Sequence, residues 1–155
     1  QVLYWTWEYQ MIHLMQEDDD IYQDHINKLR EYASNRRIAQ KETPQDIAKV
    51  PFQNHVAMII GPRGRTLSLG RNKLKTHPIQ AYWAKRLGKD HKIYLHAETD
   101  ALIKAMNKHG GLESVYDTDI LVVRFNKDGD TVSSKPCIIC RHMLQAHGLR
   151  HVFHT

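Results

Sequence analysis

The stretch Pro136-Cys137-Ile138-Ile139-Cys140 contains both cysteines of this 155-residue chain. Two cysteines separated by two residues cannot join distant parts of a fold, so they indicate a metal site or a redox pair in a reducing compartment. At the beginning of a helix this spacing lets two sulfur atoms converge on one ion, and the positive end of the helix dipole favours thiolate. Pro136 is well suited to the start of such a helix. The stretch therefore predicts a helix whose N-terminus carries two metal ligands.

The upstream sequence His96-Ala97-Glu98 supplies a third candidate ligand. Residues two apart do not share a face of a regular helix, so we expect this motif at a helix N-terminus, with His96 just outside the first turn. We expect that helix and the helix near Cys137 to point their N-termini at one ion. His96, Cys137 and Cys140 would then hold Zn²⁺ and leave a fourth position for water, which marks a catalytic zinc site.

Two other interpretations of the cysteines stay open. A structural zinc site would recruit His147 and His151, which have H-x₃-H spacing, although only six residues separate Cys140 from His147. The pair would alternatively be a thiol redox site. Neither interpretation explains why His96 and Glu98 stand together.

Apolar spacing outlines the other elements of the chain. We predict a helix from about residue 21, a hairpin of strands at 56–60 and 67–69, a short helix after Thr76 stopped by Gly88, a helix from near His96 to Gly110, a strand at 120–123, a helix from Cys137 to Gly148, and a strand at 152–153. This order predicts an α/β fold. We expect residues 1–20 to be an N-terminal extension of uncertain structure, and residues 21–155 to be one domain with a helical cover (21–50) and a core (51–155).

The motifs resemble those of the zinc-dependent cytidine and deoxycytidylate deaminase superfamily, whose signature is H-x-E followed by P-C-x-x-C. The resemblance covers roughly residues 50–155 and implies a three-layer α/β/α sandwich around a mixed sheet, with the two motif helices beside the zinc. It implies that His96, Cys137 and Cys140 bind the metal and that Glu98 is the general acid/base. It also implies substrate contacts from Asn72, through the sugar, and from the backbone of Ala97. His77 is a further candidate for pocket contact, or else a polar loop residue or helix cap.

The chain departs from this family's pattern in three places. The segments 71–95 and 98–136 are long. We expect segment 71–95 to form one wall of the pocket. We expect the Asp128-Gly129 turn to accommodate the excess length of segment 98–136. The chain also ends after what would be the family's fourth strand, where the family often adds a helix and a fifth strand. We expect that the N-terminal helix covers the exposed sheet edge, or that the chain is truncated.

The basic segment 71–92, with Tyr82 and Trp83, has three interpretations. The segment would bind single-stranded nucleic acid through charge and base stacking, or form a phosphate pocket for a mononucleotide. The third interpretation is a solvated helix face with Trp83 packed in the core. The net charge of +5 does not choose between them. No apolar run approaches the roughly 18 residues of a membrane span, so we expect a cytoplasmic protein.

The sequence therefore predicts an enzyme that hydrolytically deaminates a cytosine base, in a nucleotide of the deoxycytidylate kind, with release of ammonia. One alternative keeps this chemistry on cytosine or adenine within single-stranded DNA or RNA. Another is a non-catalytic zinc domain that binds nucleotide or nucleic acid. A homo-oligomer is compatible with the resemblance, and the choice among cytosine, adenine and guanine stays open.

Overall fold

The computed structural model describes the backbone of residues 2–6, 13–15, 20–35 and 54–155, and the side chains of 22–35 and 54–155. The strands are β1 (Val2–Thr6), β2 (His13–Met15), β3 (Asn54–Ile60), β4 (Thr66–Arg71), β5 (Lys73–Thr76), β6 (Tyr94–Leu95), β7 (Asp119–Phe125), β8 (Thr131–Val132) and β9 (His151–His154). The helices are α1 (Asp20–Ser34), α2 (Pro78–Arg86), α3 (Ala97–His109) and α4 (Ile138–Ala146), with 3₁₀ turns at Pro62–Gly64 and Leu112–Val115. Each helix and strand predicted above is present, so the α/β class is confirmed.

The main sheet is mixed and has the strand order β2-β1-β9-β7-β3-β4, with β8 paired to β7. Its strand pairs are antiparallel apart from β7 and β9, which run parallel because the connection between them crosses over through α4. Strands β5 and β6 form a separate two-stranded sheet within the long 71–95 segment. Sequence patterning did not reveal β5, β6 or β8, since each has only two to four residues.

Helices pack on both faces of the main sheet. Side chains alternate along β3 and β7, because successive residues of a strand point to opposite faces. Ala57 and Val122 pack with α3 and α4 in one apolar cluster. Val56 and Val123 pack with α1 in the other cluster. The layered arrangement matches the prediction, whereas its assignment to the cytidine deaminase fold stays a prediction.

The edge of the sheet beside β9 is covered by a strand and not by the N-terminal helix. β1 pairs antiparallel with β9, in the register Tyr4 to Phe153, and β2 continues the sheet. Helix α1 packs against the face formed by β3 and β7. The expectation that this helix covers the edge is therefore wrong. The edge of a sheet exposes unpaired N–H and C=O groups, and a strand such as β1 can form hydrogen bonds with them, whereas the side chains of a helix do not complete the ladder. Residues 36–50 of the predicted helical cover lie outside the described residues.

None of the helices in the described ranges combines the length and the apolar character that a membrane crossing requires.

Candidate metal centre

Two helix N-termini meet at the centre of the site. His96 is the N-cap of α3 and has extended backbone angles (φ −79°, ψ 158°). Cys137 is the N-cap of α4 and is extended in the same way (φ −69°, ψ 165°). Neither cap makes a hydrogen bond to its own helix through its side chain, so both side chains are directed elsewhere. The placement of both motifs at helix N-termini follows the sequence-based expectation.

The three predicted ligand atoms lie close together. The Nδ1 atom of His96 is 3.3 Å from the Sγ atom of Cys140 and 3.4 Å from the Sγ atom of Cys137. All three ligand atoms lie within 4.8 Å of one another. A tetrahedral zinc with Zn–S of about 2.3 Å and Zn–N of about 2.0 Å requires N to S separations of about 3.5 Å. The set therefore has the donor types and the spacing of a metal site.

The charges of this group favour metal binding. A hydrogen bond from Cys140, together with the hydrogen bond and charge of His96, lowers the pKa of Cys137 to about 4 despite partial burial. The same hydrogen bond and full burial raise the pKa of Cys140, which acts as the donor. Burial alone would lower the pKa of His96, but the hydrogen bond to Cys137 and the charge of Glu98 raise it. These shifts favour a thiolate at Cys137, and a metal ion bound here would displace the protons that the other ligand atoms carry.

Glu98 lies in the first turn of α3 and is only 5% exposed. Burial is the main reason that its pKa is raised, and the nearby charge of His96 lowers it in part. Of the two thiols, Cys137 adds to the rise in this pKa and Cys140 opposes it. A carboxyl group that retains its proton at higher pH beside a metal site is suited to general acid/base chemistry.

Helix α2 holds the N-terminus of α3 through Gln80, which is fully buried. The Oε1 atom of Gln80 accepts hydrogen bonds from the backbone N–H of His96 at 3.4 Å and from Oγ1 of Thr99 at 2.6 Å. Sequence reasoning missed Gln80, although a glutamine on the inner face of an otherwise apolar helix stripe is a usable signal. These two hydrogen bonds connect α2 to the N-cap and the first turn of α3.

A second anchor ties α3 to the edge of the main sheet. The buried carboxylate of Asp100 accepts a hydrogen bond from the backbone N–H of Arg71 at 3.0 Å. It also forms ion pairs with Nζ of Lys73 and Nζ of Lys104, both at 3.0 Å. Sequence reasoning missed this role of Asp100, because Arg71 and Lys73 belong to other elements, β4 and β5, and only Lys104 is near it in the sequence. The anchor sets the position of the first turn that carries Glu98.

Close packing brings α3 against β4 at Gly70. A Cβ atom placed on Gly70 would lie 2.2 Å from the backbone N of Ala101 and 2.4 Å from the backbone O of Ala97. Only glycine permits this approach. Gly70 therefore sets the distance between the sheet and the helix that carries the site.

The sheet contributes a row of polar side chains next to the metal ligands. His55 on β3 is directly opposite Arg124 on β7, and its backbone O accepts a hydrogen bond from the N–H of Asn72 at 3.4 Å. The Oδ1 atom of Asn72 is buried and has no hydrogen-bond partner among the described residues. Burial and the charge of Arg124 lower the pKa of His55 to about 4, with a smaller effect of His96. Asn72, predicted from the resemblance, thus lies near the site, and His55 and Arg124 are additions that the sequence did not suggest.

The other candidates have distinct positions. His77 is the N-cap of α2, and its Nδ1 accepts a hydrogen bond from the N–H of Ile79 at 3.2 Å, so the helix-cap interpretation is confirmed and pocket contact stays a prediction. Ala97 is buried at the first position of α3.

The alternative zinc ligands, His147 and His151, lie at the far end of α4 and on β9. Their side chains form hydrogen bonds with Met143 and Asp119, respectively. They do not join the cysteines, so that structural zinc site is wrong.

The basic segment 71–92 is not a uniform surface. The guanidinium of Arg71 is buried over the ring of Tyr32, at 3.8 Å from its centroid, on the α1 side of the sheet. Trp83 packs against the apolar core, as the third interpretation of this segment expected. Tyr82 remains 55% exposed and accepts a hydrogen bond from Arg86. The segment therefore supplies structural contacts as well as surface charge.

A scan against models of protein families finds no match to this chain, and a search of curated protein sequences finds none either.

Proposed function

We propose that this chain is a zinc-dependent hydrolytic deaminase that converts cytosine to uracil within a nucleotide and releases ammonia. The observation that carries the proposal is the convergence of one imidazole and two thiols with a buried carboxyl group at two helix N-termini. A structural zinc site is closed by four protein ligands. In the described part of the chain, the group of candidate ligands has three members, with Glu98 beside it.

His96, Cys137 and Cys140 are the residues that would hold zinc. Zinc in such a site supplies Lewis acidity that makes a hydroxide nucleophile available near neutral pH. The protein's own part in the reaction is to hold this group rigidly, which Gln80 and Asp100 do from outside the ligand set.

Glu98 moves the protons in the proposed reaction. Its carboxylate takes a proton from the attacking water and delivers it to N3 of the cytosine ring as the C4–O bond forms. The same carboxyl group then takes the proton of the new C4 hydroxyl and delivers it to the exocyclic N4, so that C4=O forms, the C4–N4 bond breaks and ammonia leaves. The atoms balance as cytosine plus water giving uracil plus ammonia. Burial of Glu98 supports this role, since it raises the pKa toward the range in which the group can both accept and donate.

The test is ammonia release by the zinc-loaded protein. The panel contains dCMP, dCTP, cytidine, adenosine, guanine, and single-stranded DNA and RNA oligonucleotides. We expect turnover of a cytosine nucleotide that Glu98→Gln abolishes while zinc content and melting temperature are retained. Glu113→Gln, an exposed position with the same chemical change, is the matched control and should keep full activity.

Two results would contradict the proposal in different ways. Turnover of oligonucleotides alone would show that the substrate is a base within single-stranded DNA or RNA and not a free nucleotide. No ammonia from any compound, with one tightly bound zinc per chain, would refute the enzyme and favour a binding domain.

A further inference from the structure

Three side chains form a row across the sheet at the end that lies beside the metal ligands. The register places Asn72 after Arg71 on β4, opposite His55 on β3, and His55 opposite Arg124 on β7. With adjacent strands about 4.8 Å apart, this row spans about 10 Å.

The row lies on the same face of the sheet as the metal ligands. His55 is two residues before Ala57, and Arg124 is two residues after Val122, and these two apolar residues pack against α3 and α4. Because side chains two apart on a strand share a face, His55 and Arg124 point to the α3 and α4 side. The charges of His96 and Cys137 influence His55, which places its ring close to both.

Arg124 carries a permanent positive charge in a partly buried position. Among the residues whose side chains the structure describes, no carboxylate forms an ion pair with it. The other arginine that is bound within this part of the sheet, Arg71, is held on the opposite face by Tyr32. A planar guanidinium that is partly removed from water and lacks a carboxylate partner matches a phosphate group in charge and in hydrogen-bonding geometry.

We propose that Arg124 and His55 form a phosphate subsite, which binds the 5′-phosphate of the nucleotide whose base is held beside His96, Cys137 and Cys140. The inference rests on the proposed function for the identity of the base. Asn72, with its unpartnered Oδ1, lies at the other end of the row and accepts a hydrogen bond from a sugar hydroxyl. The row thus orders sugar and phosphate across the sheet, and selects a nucleotide over a nucleoside.

The experiment measures affinity and does not depend on turnover. Isothermal titration compares dUMP with deoxyuridine, which have already lost the amino group, on the zinc-loaded wild type and on Arg124→Gln. We expect the wild type to prefer dUMP by about 10- to 100-fold, the range of charge-assisted hydrogen bonds. Arg124→Gln should lose this preference while its affinity for deoxyuridine is unchanged. His55→Gln should lose part of it.

Arg65→Gln is the matched control, since Arg65 is exposed beyond the opposite end of β3. It should keep the wild-type preference for dUMP. A short oligonucleotide with a single central deoxyuridine separates a terminal phosphate from a phosphodiester. Tighter binding of dUMP than of the oligonucleotide supports the proposal, whereas an Arg124-dependent preference for the oligonucleotide overturns the mononucleotide assignment.

Equal loss of affinity for dUMP and deoxyuridine in Arg124→Gln would overturn the subsite. No measurable binding of dUMP by the wild type would overturn it as well. These results are independent of the ammonia assay. A preference for dUMP without ammonia release would support the phosphate subsite and refute the deaminase activity. Ammonia release without a preference for dUMP would support the deaminase activity and refute the phosphate subsite.

Discussion

Substitution of Gly70 by alanine should damage the metal site through the fold. The added Cβ would lie 2.2 Å from the backbone N of Ala101 and 2.7 Å from its Cα, whereas an ordinary contact requires about 3.4 Å or more. Because these neighbours are backbone atoms, α3 or β4 must move by about 1 Å. Metal–ligand distances tolerate about 0.2 Å, and α3 carries both His96 and Glu98.

We therefore expect Gly70→Ala to lose about 1–3 kcal/mol of folding free energy by overpacking and, in addition, at least 10-fold in zinc affinity. The assay is urea unfolding of the metal-free protein together with zinc competition against a chelating dye. Gly88→Ala is the control. Gly88 has a positive φ of 68° and no neighbour within 4 Å of its added Cβ, so alanine there costs about 1–2 kcal/mol of strain away from α3. Equal zinc affinity in the two variants would show that the contact at Gly70 does not set the position of the metal ligands.

Three further predictions concern buried polar side chains. Asp100→Ala should lose about 2 kcal/mol in urea unfolding, because the buried N–H of Arg71 loses its acceptor, and the exposed Asp90→Ala should lose none. Gln80→Leu should weaken zinc binding about 10-fold in the dye competition, since the N–H of His96 loses its partner; unchanged affinity would show that α2 does not position the ligand. Burial lowers the pKa of His154 from 6.5, so folding stability falls as pH drops below about 6.5, and melting of His154→Leu should decline less than that of wild type from about pH 7 to about pH 5.

The predictable part of the fold and site came from local signals. Apolar periodicity located α1, α3, α4 and the buried strands, because burial on one face selects the spacing of apolar residues. His96 was placed at a helix N-terminus because residues two apart, such as His96 and Glu98, do not share a face of a regular helix. Cys137 was placed at another helix N-terminus because of its C-x-x-C spacing after Pro136.

What the sequence did not reveal depends on contacts between distant segments. The covering of β9 by β1 joins the two ends of the chain, and no local pattern encodes such a pairing. Gln80 and Asp100 accept hydrogen bonds from the backbone N–H groups of His96 and Arg71, which lie in other elements, so their roles depend on the tertiary fold. His55 and Arg124 are nearly 70 residues apart, and their pairing depends on the register of two central strands.

We propose that His96, Cys137 and Cys140 form one zinc site with an open fourth position. Zinc K-edge X-ray absorption on the zinc-loaded protein tests it most directly, with the double variant His147→Ala/His151→Ala as control. We expect one zinc per chain, two sulfur ligands at about 2.3 Å, one imidazole nitrogen at about 2.0 Å, one light non-protein ligand, and the same spectrum in the double variant. A second imidazole in the coordination shell, or a spectrum that changes when His147 and His151 are removed, would contradict it.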